Sequence, residues 1–142
     1  MATINPYLNF MGNTEEAFNF YKSVFGGEFV TVMRFKDMPG HEQMPAAEQN
    51  KIMHIALPIK GNLLMATDML ESMGQTLQAG NNYSIAIQPD SEEEARHLFN
   101  GLSAGGHVIM PLEKASWGSL FGMFTDKYGI QWMVNYDEPQ NK

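Results

Sequence analysis

A chain of 142 residues with 44% hydrophobic residues is long enough to bury one core, and its net charge of −7 argues against a phosphate backbone as partner. It contains no cysteine, which excludes disulfides, thiolate metal sites and a cysteine nucleophile. The opening Met1-Ala2-Thr3-Ile4-Asn5-Pro6 lacks the basic and apolar regions of a signal peptide, and no apolar run approaches the roughly 18 residues that span a bilayer, so a cytoplasmic protein without a membrane partner is expected.

Ile4 to Met11 reads as the first strand, ended by Gly12. Asn13 and Glu16 have the spacing of a capping box, and Ala17, Phe20, Tyr21, Val24 and Phe25 form a helix-period stripe that stops at Gly26-Gly27. A helix over Asn13–Phe25 is expected. Glu28 to Phe35 reads as a second strand. Lys36 to Asn50 is polar, with two prolines and a glycine, and reads as a surface loop or a lid. Lys51 to Ile59 and Leu63 to Asp68 read as strands joined by a hairpin turn at Gly61-Asn62.

Leu70 to Asn81 reads as a connector, and Asn82 to Gln88 as the next strand. Ser91 and Glu94 form an S-x-x-E box, and Ala95, Leu98, Phe99 and Leu102 form the stripe of a helix over Ser91–Ala104. Val108 to Leu112, Leu120 to Thr125 and Ile130 to Tyr136 read as the closing strands. The second half thus repeats the first at an offset of about 78 residues, with the same cap, stripe and Gly-Gly stop. The organisation expected is a β-α-β-β-β unit over 1–69, a connector over 70–81, a second unit over 82–136 and a frayed tail over 137–142, all within one α+β domain.

The chain is rich in methionine, with 12 residues. Thioethers suit core filling or a deformable apolar pocket; copper(I) ligation is a third use of them. Of the four histidines, His41 lies in the long loop, His97 one helical turn after Glu93, and His107 after the Gly-Gly stop. His54 sits within an apolar strand, either as a hydrogen-bonded structural group or as a pocket acid/base. Asp68, at the end of a strand, is either an exposed turn carboxylate or a general base.

The segments Asn5-Pro6-Tyr7-Leu8-Asn9-Phe10, Gly12-Asn13 and Phe20 to Gly27 resemble the PhnB-like branch of the vicinal oxygen chelate superfamily. So do Trp117-Gly118, Phe121-Gly122, Thr125 to Gly129 and Trp132-Met133-Val134-Asn135. The resemblance implies the glyoxalase/bleomycin-resistance fold: two βαβββ units forming cupped mixed sheets, helices on the outer face and a small organic molecule held in the cup. It implies a homodimer as well. The superfamily contains isomerases, lyases, dioxygenases and pure binding proteins, so it implies no single activity. A ubiquinone methyltransferase name is also attached to this branch, but the chain has no glycine-rich strand-to-helix fingerprint for a nucleotide-like cofactor.

Carried onto this sequence, the metal-ligand positions of metal-dependent members fall near Pro6, Met65, Ser84 and Met133. A one-residue slip reaches Asn5, Tyr7, Leu64, Ala66, Tyr83, Ile85, Trp132 and Val134, none a histidine or carboxylate. The expectation is therefore no metal and no cofactor. Strand alternation assigns Pro6, Leu8 and Phe10 to the pocket face, with Leu63, Met65 and Thr67, with Ser84 and Ala86, and with Gln131, Met133 and Asn135. The expected ligand contacts are Leu8, Phe10, His54, Met65, Thr67, Ser84, Trp117, Phe121, Gln131, Met133 and Asn135. A metal-independent small-molecule binder is the first reading. A lyase or isomerase using a rebuilt metal site or a His54/Asp68 acid–base pair is the second.

Overall fold

Apolar residues alternate with polar ones in the first strand, β1 (Tyr7–Phe10), where Leu8 and Phe10 are buried and Tyr7 and Asn9 are exposed. What buries them is α1 (Thr14–Phe25), which packs on the same face of the sheet. The structure is a computed structural model and describes residues 2–137. After α1 come β2 (Thr31–Arg34), the one-turn helix α2 (Ala46–Gln49), β3 (Ile52–Ile59) and β4 (Asn62–Asp68). These strands form a four-stranded sheet in the order β1-β4-β3-β2, with β1 and β4 parallel and the other pairs antiparallel.

The second unit repeats this plan with β5 (Ile85–Ile87), α3 (Glu92–Ser103), β6 (His107–Lys114), β7 (Ser119–Thr125) and β8 (Gln131–Asp137). Its sheet runs β5-β8-β7-β6, again with one parallel pair, β5 and β8. Two βαβββ units with mixed sheets are the α+β fold expected from the repeat. The compact units divide between Gln78 and Ala79. Leu70 is buried in the first unit and a single 3-10 turn follows at Glu71–Met73. Asp137, expected to open a frayed tail over 137–142, instead closes β8, and residues 138–142 lie outside the described residues.

The α3 stripe is buried as expected: Ala95, Leu98, Phe99 and Leu102. The α1 stripe is rotated from its expected position. Thr14, Ala17, Phe18 and Tyr21 are buried, whereas Phe20, Val24 and Phe25 are only partly covered. Phe18 is fully buried and meets Phe10 edge-on at 6.3 Å and Tyr21 at 5.4 Å. In the second unit Phe99 meets Phe124 edge-on at 5.0 Å. Gly122 makes room for this contact, since a Cβ there would lie 2.6 Å from Phe99 Cε2 and 2.9 Å from Leu112 Cα. The Phe121-Gly122 pair is therefore set by close packing.

The helix starts also differ. Ser91 Oγ accepts from Glu94 N–H at 3.0 Å, and Glu94 in turn accepts from Asp90 N–H at 2.8 Å. Asn13 makes no such bond with its side chain. The α1 terminus is satisfied from across the sheet by Asp68, described below. The β3–β4 hairpin turns one residue earlier than expected, at Lys60-Gly61, with Ile59 opposite Asn62 and Lys60 at φ +53°. Residues 36–50 are not a structureless loop. They contain 3-10 turns at Phe35–Asp37 and His41–Gln43, then α2, with Arg34 N–H donating to Asp37 and Gln49 Nε2 to Met44 O.

Candidate functional site

Register decides which side chains share the face of the first sheet that α1 leaves open. Tyr7 pairs with Met65 and Asn9 with Thr67, while Met33 pairs with His54 and Thr31 with Ala56. Cross-strand partners point to the same side. The open face therefore carries Tyr7 and Asn9 from β1, Met65 and Thr67 from β4, and His54 and Ala56 from β3. Leu8, opposite Ala66, and Phe10, opposite Asp68, project into the core, at 7% and 2% exposure. This corrects their placement on the pocket face. Alternation groups Leu8 and Phe10 with each other but does not say which phase faces the pocket, and a slip of one residue moves a whole strand to the other face. Tyr7 and Asn9 are the residues the sequence reading missed. Their signal was the polar half of the Tyr-Leu-Asn-Phe alternation.

On this face the Tyr7 hydroxyl and His54 Nδ1 lie 3.1 Å apart, and the two rings stack with centroids 5.6 Å apart and planes 24° from parallel. Partial burial pushes the Tyr7 hydroxyl above its usual pKa, partly offset by a hydrogen bond from Thr67. Tyr7 remains 47% exposed and His54 is half-buried, so the pair borders open space.

Asp68 stands elsewhere. It is 3% exposed and lies under the start of α1. Its Oδ1 accepts from Gly12 N–H and Thr14 N–H, both at 3.0 Å, and from Thr14 Oγ1 at 2.7 Å. Its Oδ2 accepts from Ile52 N–H at 2.8 Å. Asp68 is neither an exposed turn carboxylate nor a base with a free lone pair facing a ligand. It is the remote cap of α1. Beside it a cleft of about 220 Å³ is bordered by Glu15, Arg34, Asn50 and Lys51, whose cations are already engaged: Arg34 on Glu15 and Asn50 O, Lys51 Nζ on Gly12 O.

In the second unit, the pairs Phe121–Asn135, Met123–Met133 and Thr125–Gln131 place these side chains on one face of the sheet. Ala86 joins them opposite Met133. Gly122, Phe124, Trp132 and Val134 face α3 and are buried. Thr125 Oγ1 donates to Gln131 Oε1 at 3.1 Å, and Gln131 N–H donates to the Tyr83 hydroxyl at 3.3 Å. Ser84 is exposed and stands just ahead of β5. Trp117, 66% exposed in the β6–β7 turn, meets Phe121 edge-on at 5.8 Å. Buried Asp126 accepts from Tyr128 N–H, Ile130 N–H and Trp132 Nε1, as a counterpart to Asp68.

The parallel strand pairs place Tyr7 beside Met65 and Ala86 beside Met133. Neither the phenol and thioether of the first unit nor the methyl group and thioether of the second is a ligand set for a hard or borderline divalent ion. Among the described residues no three His, Asp or Glu side chains are gathered as a metal-binding group.

A family model described as 3-demethylubiquinone-9 3-methyltransferase matches residues 2–135. The chain is 30% identical over 145 residues to Protein YjdN of Escherichia coli (strain K12), covering 96% of this chain and 97% of that protein. The crystal structure of protein PA1353 from Pseudomonas aeruginosa is similar at a TM-score of 0.85 and 40% identity, over 98% of this chain and 100% of that one. The PhnB protein from Bacillus cereus is similar at a TM-score of 0.77 and 26% identity, over 95% and 99%. With a family model and relatives that run the full length of the fold, this chain belongs to the family described as 3-demethylubiquinone-9 3-methyltransferase, the PhnB-like branch of the vicinal oxygen chelate superfamily.

Proposed function

We propose that this chain is a small-molecule binding protein that works without a divalent metal. The observation that carries the reading is the make-up of the two open sheet faces. Each interleaves thioethers and aromatics with neutral polar groups: Tyr7, His54, Met65 and Thr67 in the first unit, and Phe121, Gln131, Met133 and Asn135 in the second. Such a lining orients an organic ligand by hydrogen bonds while burying its apolar part. Trp117 and Ser84, exposed near the second face, are proposed as further contacts. Leu8 and Phe10 support the face from behind.

Acid–base catalysis of a lyase or isomerase type is the second reading, favoured by the Tyr7–His54 contact. Asp68 has no part in it, because four donors already occupy its two oxygens. Methyl transfer, the activity in the family's description, is not our reading of this chain. The amides of Gly12 and Thr14, at the turn from β1 into α1, donate to Asp68 instead of facing a nucleotide-like cofactor. We further propose a cytoplasmic homodimer. No described helix is long and apolar enough to cross a membrane.

A thermal-shift screen of small organic compounds, paired with elemental analysis, tests the reading. A true ligand at 100 times its dissociation constant should add about 2.7 kcal/mol to stability. Zinc, nickel, iron and manganese should each stay well below one equivalent. One tightly held equivalent, lost on chelation together with an activity, would overturn the metal-free reading. A broad screen without a single stabilising compound would overturn the binding reading.

A further inference from the structure

Register gathers methionines on the open face of the second sheet. Met133 of β8 stands opposite Met123 of β7, and Met123 stands opposite Met110 of β6. Three thioethers therefore form one row across three adjacent strands, with Ala86 of β5 beyond Met133. Directly opposed side chains point to the same side, with Cβ atoms about 4.5–5.5 Å apart. The third thioether is placed by an irregularity. His107 pairs with Thr125 and Val108 with Phe124, a register that would set Ile109 opposite Met123 and Met110 opposite Gly122. The shift between Val108 and Met110 inserts one residue into β6 and brings Met110 to Met123 instead. The next row along the same face holds His107, which is exposed, with Thr125 and Gln131. Methionine is common as a filler of core gaps. This row fills none: Met123 and Met133 are only half-buried and Met110 is 45% exposed.

We propose that Met110, Met123 and Met133, with His107 beside them, form a binding site for a soft monovalent cation, copper(I). Thioether sulfurs are soft donors that select copper(I) over hard and borderline divalent ions. A neutral imidazole adds a nitrogen donor without adding charge. The net charge of −7 favours a cation's approach. The site goes beyond the small-molecule reading and is compatible with it. That reading sets aside divalent ions, and the open face of the first sheet, where Met65 stands between Tyr7 and Ala56, has no such row of thioethers.

Copper(I), kept reduced with ascorbate and titrated into the full chain, tests this when the methionine ε-methyl groups carry carbon-13. The methyl resonances of Met110, Met123 and Met133 should move together and saturate at one equivalent, and the His107 ring should move with them. The methyl of Met73, which is 70% exposed in the turn after β4, should stay in place. Zinc(II) should move none of the three. Met123→Leu with Met133→Leu conserves apolar volume and should leave circular dichroism unchanged while weakening copper(I) binding about tenfold or more. His107→Ala should weaken it less. Three methyl resonances that do not respond to copper(I), an equal response to zinc(II), or undiminished binding by the folded double variant overturns the proposal. If the double variant does not fold, the methyl shifts of the native chain decide alone.

Discussion

Two buried aspartates show how much of this fold depends on single side chains. Asp68 satisfies three backbone N–H groups and one hydroxyl that come from β1's end, α1's start and β3. Asp68→Ala should leave those donors under the start of α1 without an acceptor. A loss of about 3 kcal/mol or more is expected from urea unfolding. A loss below about 1 kcal/mol would mean that water replaces the carboxylate. Its partners lie up to 56 positions away in sequence, so no local pattern could reveal this role. The strand-end position was legible; the burial was not. The nearby Glu15–Arg34 pair makes a different prediction. Arg34's hydrogen bond to Glu15, against partial burial, holds the Glu15 carboxyl below its usual pKa. A depressed carboxyl contributes stability that is present above its unfolded pKa and lost as pH falls through its folded value. Glu15→Gln should therefore cost at most about 1 kcal/mol at neutral pH, because Glu15 is half-exposed and screened. The difference from the native protein should close in acid, and a gap that persists there would contradict the assignment.

At the scale of the element, the two helices look alike in sequence and begin differently. Ser91 caps α3 with its own side chain, whereas α1 borrows Asp68. Ser91→Ala should cost about 1 kcal/mol, and Asn13→Ala close to nothing. Equal losses in thermal unfolding would show that Asn13 caps in solution after all. The same contrast explains what the sequence disclosed. Helices, strands and their order followed from stripes and glycine stops, because those signals are local. The α3 stripe was read correctly because its apolar set is unambiguous. In α1 an aromatic-rich run, Phe18 to Phe25, offers more than one stripe, and contact with Phe10 selects the one through Phe18. The open face was half legible. Met65 and Thr67 share one face of the first sheet, and Gln131, Met133 and Asn135 one face of the second, as alternation groups them, while His54 and Phe121 join those faces through pairing that alternation did not address. Leu8 and Phe10 do not lie on the open face, because β1's phase is set by pairing with β4, which alternation within β1 does not reveal.

For the whole molecule, the open question is what covers the sheet edges. In its own sheet, β2 pairs only with β3, and β6 only with β7. Val30 and Val32 are 62% and 43% exposed along the first edge, and Val108, Ile109 and Met110 are 41–48% exposed along the second. A second copy of the chain is the proposed cover, by burial of these side chains and not by continuous strand pairing. Pro111 lacks an N–H, and register shifts interrupt β6 between Val108 and Met110 and again before Glu113. Light scattering at micromolar concentration should then give about 32 kDa, two copies of 16.0 kDa. Ile109→Asp with Met110→Asp should shift the particle toward 16.0 kDa while circular dichroism stays unchanged, since both side chains are exposed within the chain. A native particle of 16.0 kDa would refute the homodimer. A dimer that tolerates both aspartates would move the interface away from β6, leaving the β2 edge, with Val30 and Val32, as the next place to substitute.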